Sequence, residues 1–145
     1  MTAITAPRKI IFRGSVVDHS FGVKASAVVL QSALVQLIAG YAIDGKTGAD
    51  STEAGTLQTV GVALETVTGT AADGGAVVTV RSGEAKFANL TGDLVTVAEI
   101  GKVCYLADNQ TVAKTSNTNV RAIAGRVTGV DSDGVWVRVG VGLAA

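Results

Sequence analysis

Apolar residues along this chain fall in short runs with a period of two, separated by polar and glycine-rich clusters. The pattern is clearest between Ile100 and Val139. There Val135, Val137, Val139 and Val141 share one parity, while Trp136 and Arg138 take the other. Valines alternating with polar or amphipathic residues describe a strand with one buried face. In the run before it, Ile123, Val127 and the small Gly125 and Gly129 fall on one parity. Asp133-Gly134 between the runs predicts a two-residue hairpin turn, because glycine accepts positive φ without steric cost. The whole stretch reads as four short strands joined by turns.

Upstream, Ala76–Arg81 predicts a strand, with Ser82-Gly83 a tight turn into Glu84–Phe87 and the two runs a hairpin. Leu57–Thr66 predicts another strand. Over Ala27–Ile43 the period alone does not decide. Leu30, Leu34, Leu37, Ile38 and Tyr41 would form a helical stripe, but the valines, Gly40 and the Asp44-Gly45 turn favour a strand pair with a bend. Residues 44–56 and Thr68–Gly75 read as loops. Thr96 and Glu99 have capping-box spacing, with Gly101 as a stop, which predicts one helical turn. Residues 1–24 hold the only proline and two of the three phenylalanines, and show no sustained period. They are expected to form an extended arm with a short strand at Lys9–Arg13; the alternative is a first strand covering the domain's own sheet. Residues 25–145 then form a single β-rich domain. The expected fold is all-β: a small β-barrel or sandwich of about ten short strands, with one short helical turn and an extended N-terminal arm.

Composition narrows the function classes. The 145 residues are 48% hydrophobic, enough for one domain with a real core. No apolar run approaches the ~18 residues of a membrane span, and no signal peptide is expected. Lone Cys104 forbids an internal disulfide and reads as a small, inert core residue, which makes the compartment intracellular or indifferent. The net charge is zero, yet residues 1–24 carry Arg8, Lys9, Arg13 and Lys24 against Asp18, a local +3. Residues 44–73 carry Asp44, Asp50, Glu53, Glu65 and Asp73 against Lys46, a local −4. Such asymmetry suits contact between a basic arm and an acidic patch of another subunit or partner, and near-neutrality favours association.

Motifs for chemistry do not assemble. Gly40–Thr47 matches the phosphate-loop pattern G-x-x-x-x-G-K-[ST], but Gly48-Ala49-Asp50-Ser51-Thr52 is a poor helix start and the βαβ alternation is missing. Asp18-His19-Ser20 has triad residue types, but neighbours in sequence cannot take the triad geometry. One His and one Cys make no structural zinc site, and the acids at 44–53 and 131–133 lack calcium-loop spacing. Neither catalysis, a metal nor a cofactor is expected. Phe12 and Phe21 beside Arg8, Lys9 and Arg13 are too faint a basic, aromatic stripe to predict nucleic-acid binding. Trp136 could be an exposed platform, although a packing face or subunit contact is its commoner role.

Five segments in order carry a resemblance: Gly61–Val67, Arg81–Asn89, Ile100–Ala113, Arg121–Val127 and Val130–Val137. The order Cys-Tyr, Asp-Asn-Gln-Thr-Val-Ala, Ala-Gly-Arg-Val, Asp-Gly-Val-Trp-Val is similar to that of the small capsid cement, or head decoration, proteins of tailed bacteriophages. It covers roughly residues 28–139. The resemblance implies an all-β domain without catalytic residues. It also implies binding to the major capsid protein on the outside of an icosahedral head, often as a homotrimer, with no nucleic-acid or membrane partner. Such a protein would be made in the host cytoplasm and reside on the virion surface. The expected contact residues to capsid or neighbouring subunit are Arg8, Lys9, Ile10, Ile11, Phe12, Arg13 and Phe21 in the arm, with Trp136 and Arg138 on the body. The alternative is a tail or fibre module recognising host glycans through Trp136.

Overall fold

Thirteen consecutive residues run as one strand through the middle of the molecule. The computed structural model describes residues 3–141; the outermost residues of both expected segments, 1–2 and 142–145, lie outside the described residues. In chain order the elements are β1 (Phe12–Gly22), β2 (Val28–Val29), β3 (Leu34–Ile38), β4 (Tyr41–Asp44), the one-turn helix α1 (Ser51–Ala54) and β5 (Leu57–Ala63). They continue with β6 (Val67–Thr68), β7 (Val77–Asn89), a 3-10 turn (Val97–Glu99), β8 (Val103–Asp108), β9 (Thr111–Ala113), β10 (Ile123–Asp131) and β11 (Gly134–Val139). The fold is all-β, as the periodicity predicts.

The second half of β7 closes a barrel. β11 pairs antiparallel with β7 from Gly83 to Phe87, β10 with β11, β8 with β10, and β9 with β8. β9 then returns to β7 in parallel at Ala88 and Asn89. The four strands expected between Ile100 and Val139 are therefore β8 to β11, and with β7 they make a sheet closed on itself. The first half of β7 belongs to an outer layer: β5 pairs at Val80 and Arg81, β3 lies beyond β5, and β4 beyond β3. Along its other edge β7 carries β1, from Val77 to Ala85.

Two cores follow from this division. Ala85 and Phe87 lie in the barrel core with Leu34, Val62, Leu106, Val112, Val127 and the three valines of β11. Val78 and Val80 lie in a second core with Val23, Val29, Val35, Ala42, Val60 and Ala63. Neighbouring residues of a strand face opposite sides, so β7 buries its even positions first and its odd positions afterwards. The exchange happens at Ser82-Gly83, both buried, and the tight turn and hairpin expected there do not form. A break in parity looks like a turn in the sequence; here it marks an unbroken strand passing from one core to the other. β5 also serves both cores, so it lacks a polar face from Thr59 to Ala63.

Several local expectations are met. β3 and β4 form the expected strand pair, turning at Ala39 (φ 51°) and Gly40 (φ 89°). Thr96 and Glu99 cap the 3-10 turn reciprocally. The polar loop at 44–56 additionally winds one helical turn, α1, because the Asp50 side chain accepts from the Glu53 N–H at 2.8 Å. The β10–β11 hairpin also forms, one residue earlier than expected. Its loop is Ser132-Asp133, Gly134 already pairs with Asp131, and none of the three has positive φ. Glycine is needed at 134 for another reason: a Cβ would sit 2.7 Å from the Phe87 carbonyl oxygen.

The N-terminal region divides. Residues 12–22 follow the alternative of a first strand on the domain's own sheet, since β1 is far longer than the strand expected at Lys9–Arg13. Residues 3–11 remain an extended arm laid along the body. The Ile4 N–H donates to the Asn109 side-chain oxygen at 2.8 Å, and the Asn109 amide returns a bond to the Ile4 carbonyl at 3.3 Å. The Ser32 hydroxyl donates to the Arg8 carbonyl, and Ile10 and Phe12 pack on the barrel core.

Gly61 sits at the β5 bulge with φ 139°, and a Cβ there would lie 2.5 Å from the Arg81 carbonyl oxygen. Gly61→Ala should therefore lower stability by about 2–4 kcal/mol, combining backbone strain with a clash between β5 and β7. Gly92→Ala, with nothing within 4 Å of its Cβ, should stay within about 0.5 kcal/mol of wild type. Urea midpoints of the two variants check this.

Candidate functional site

Strand register sets a row of charges across the outer barrel face. Arg13 of β1 lies opposite Glu84 of β7, Glu84 opposite Arg138 of β11, and Arg138 opposite Arg126 of β10. Glu84 accepts from Arg13 Nε at 2.7 Å and from the Thr128 hydroxyl at 2.9 Å. Desolvation pushes the Glu84 carboxyl up, but the hydrogen bonds from Arg13 and Thr128 and the nearby charges of Arg13 and Arg138 outweigh it. They hold it below the usual carboxylate range. Arg126 donates to the Gly101 carbonyl at 3.1 Å, and Arg138 forms no salt bridge among the described residues. Two exposed cations thus lie side by side with one shared carboxylate in their row.

Trp136 projects from the same face. The Arg13 guanidinium lies 3.9 Å from its ring centroid, close enough for a cation–π contact. Gly129 leaves the room for it, since a Cβ there would be 3.2 Å from Arg13 Nη2. The indole N–H donates to Asp131 at 3.0 Å, and Lys86 pairs with Asp131 at 3.2 Å and with Asp133. The Trp136 N–H and the Lys86 ammonium hold the Asp131 carboxyl below its ordinary range. One ring face of Trp136 is consequently occupied by the protein's own arginine.

Of the residues expected at the contact site, Arg13, Trp136 and Arg138 come together on this face, and the others separate. Arg8 turns inward: its Nε and one terminal nitrogen are buried without a partner, and desolvation lowers its pKa against the opposing pull of Asp108. Lys9 is exposed, Ile11 is 65% exposed, and Ile10 and Phe12 are half-buried against the barrel core. Phe21, at the far end of β1, packs on the second core. Glu84, the hub of the charge row, was not legible: its partners are 71 and 44 residues away in the chain.

β1 takes the alternative of a first strand on the domain's own sheet. Eight of its eleven positions are exposed, both faces meet solvent, and one edge pairs with β7. Among the described residues no strand pairs with the other edge. An open edge of this length presents free backbone N–H and C=O groups to a partner.

The chemical motifs stay apart. Lys46 of the phosphate-loop match lies 3.0 Å from Glu53, and the segment is β4 and a loop, followed only by the four-residue α1. His19 stacks near Phe21, with ring centroids 6.2 Å apart. Among the described residues no three metal-ligating side chains come together. Cys104 is fully buried, and burial pushes its thiol up to about 12. Among the described residues no helix is long and apolar enough to cross a membrane. Comparison with known protein families, curated proteins and solved structures finds no match to this chain.

Two outcomes are expected. Cys104 should resist a thiol reagent at pH 8 in the native protein and react fully in urea, as followed by thiol titration. Glu84→Gln should reduce stability above about pH 4, by up to roughly 1 kcal/mol because Arg13 is largely solvated. A depressed carboxyl stabilises the fold above its unfolded pKa, so the difference should vanish as pH falls through the lowered native value. Paired urea titrations at pH 7 and pH 3 check it.

Proposed function

We propose that this protein is a structural virion protein, a cement or decoration subunit. In this reading it binds the outer surface of a tailed-phage head and joins neighbouring capsomers of the major capsid protein. The observation that carries the reading is β1: an eleven-residue strand with an open edge, running into an arm that lies over the body. An edge strand recruits a partner strand through main-chain hydrogen bonds, and an arm adds contact area where a shell surface is extended. The order of sequence segments shared with cement proteins points the same way. A closed barrel supplies a stiff support for both, and many copies on a symmetric shell make a modest affinity effective.

In this reading the protein is not an enzyme, and its partners are the major capsid protein and further copies of itself, a homotrimer by the resemblance. Its place is the outer virion surface after synthesis in the host cytoplasm. A glycan-binding tail or fibre module would call for an open aromatic face, and Arg13 stacked over Trp136 favours the capsid reading instead.

Purified protein should co-sediment with expanded heads of the phage that encodes it; absence of binding would overturn the proposal. Removing residues 1–24 would strip β1 from the edge of β7, so the informative deletion ends at Lys9. That deletion should leave cooperative unfolding intact and weaken head binding roughly tenfold or more, the loss of about 1.4 kcal/mol of contact. Undiminished binding would remove the arm from the mechanism.

A further inference from the structure

Arg126 and Arg138 lie directly opposite each other in the β10–β11 pair. Like charges at opposed positions of an antiparallel sheet repel and cost stability. β10 also approaches β11 closely here, since a Cβ on Gly125 would lie 2.1 Å from the Arg138 carbonyl oxygen. Both side chains are exposed, and the fold leaves their donors almost unused. Arg126 spends one N–H on the Gly101 carbonyl, and Arg138 makes no hydrogen bond or salt bridge among the described residues. Glu84 does not neutralise the two. One of its oxygens already accepts from Arg13 and Thr128, and Arg138 acts on it only through its charge. Local packing gives no reason for the pair.

The row they belong to shows what such a pair takes. Its one carboxylate, Glu84, lies between Arg13 and Arg138 and accepts from Arg13 Nε at 2.7 Å. A second carboxylate at the Arg126 end would repeat that arrangement, and planar guanidinium groups offer N–H donors in the geometry a carboxylate matches. The chain itself has little left to supply one. Seven of its twelve acids are held in salt bridges, and Asp44, Asp50, Glu99 and Asp108 accept hydrogen bonds. Only Glu65 is unengaged among the described residues. Five exposed cations, Lys9, Lys102, Lys114, Arg126 and Arg138, have no salt bridge there. The surplus left for a partner is therefore cationic, and a second copy offers it almost nothing. A nucleic-acid backbone suits the face less well than a short acidic segment. Its phosphates would also meet Glu84, Asp131 and Asp133, and Arg13 already covers a ring face of Trp136 on which a base would stack.

We infer that Arg126 and Arg138 together receive an aspartate or glutamate side chain from an acidic segment of a different protein. The incoming carboxylate accepts N–H bonds from both guanidinium groups and removes their repulsion. The inference goes beyond the capsid reading, because it identifies the partner by its chemistry and not by the particle it belongs to.

Titration of isotope-labelled protein with an oligoglutamate peptide, followed by NMR at low ionic strength, should move the Arg126 and Arg138 signals most. Arg126→Gln and Arg138→Gln should each weaken binding about tenfold. Lys9→Gln removes the same charge elsewhere and should leave binding within about twofold of wild type. Either arginine variant should also keep or raise the urea midpoint, because the repelling pair is gone. Equal loss in Lys9→Gln, undiminished binding by an arginine variant, or a lowered midpoint would each overturn the inference. An oligothymidylate of equal charge that binds more tightly than the peptide would overturn it in favour of nucleic acid. Self-association of wild type that Arg138→Gln abolishes, seen by light scattering, would overturn it in favour of a second copy. Head binding by the wild type is measured separately, so failure here and failure of the capsid reading are distinguishable.

Discussion

Everything in this fold depends on β7 burying opposite faces along its length. Val78 and Val80 point into one core, Ala85 and Phe87 into the other, and the strand does not break between them. A single strand shared by two layers fixes their relative position without a linker, because both layers are hydrogen-bonded to the same backbone. It also sets the demands on its neighbours. β5 must serve both cores, so its positions from Thr59 to Ala63 are all buried. β1 must follow a continuous edge on the far side, and it bulges between Arg13 and Val17, where the face exchange occurs.

The charges are arranged around the same strand. Read along the chain, the N-terminal excess of cations and the acidic stretch at 44–73 suggest opposed surface fields. In the folded protein Arg13 and Lys24 of that excess pair with Glu84 and Asp73, and elsewhere Arg81 pairs with Asp18 and Lys46 with Glu53. Exposed pairs of this kind contribute little each. Their effect is to orient β1 and the loops rather than to create a field for partners. Among the described residues, outward features of a different kind include an open strand edge, the exposed Leu94, Val97 and Ile100, and the Arg126–Arg138 pair.

Trp136 illustrates how a surface residue acquires a role through the fold. Its parity on β11 places it outside the barrel, and the sequence leaves open what it meets there. In the fold it meets Arg13, which belongs to the first strand, and Asp131, which belongs to its own hairpin. The indole thereby clasps the start of β1 to the barrel, and the arm before it departs from a defined point.

The sequence by itself determined which faces are buried over short distances. The valine parity of β11, the strand pair at 34–44, the capping box at Thr96 and the inert Cys104 were all legible, because each rests on a few neighbouring residues and on backbone preferences that act locally. Tertiary structure decided which element covers which face. The Ser82-Gly83 segment reads as a turn because its parity breaks, and only the presence of a second core on the opposite side makes it a continuous strand. Residues 12–22 read as part of an extended arm because they show no sustained period, and only the free edge of β7 makes them a strand. The reason is the same in both cases. Local pattern reports whether a side chain is buried, whereas strand pairing depends on backbone groups that every sequence carries and on partners 44 to 71 residues away. For the same reason β7 reads as two strands in the sequence and is one in the protein.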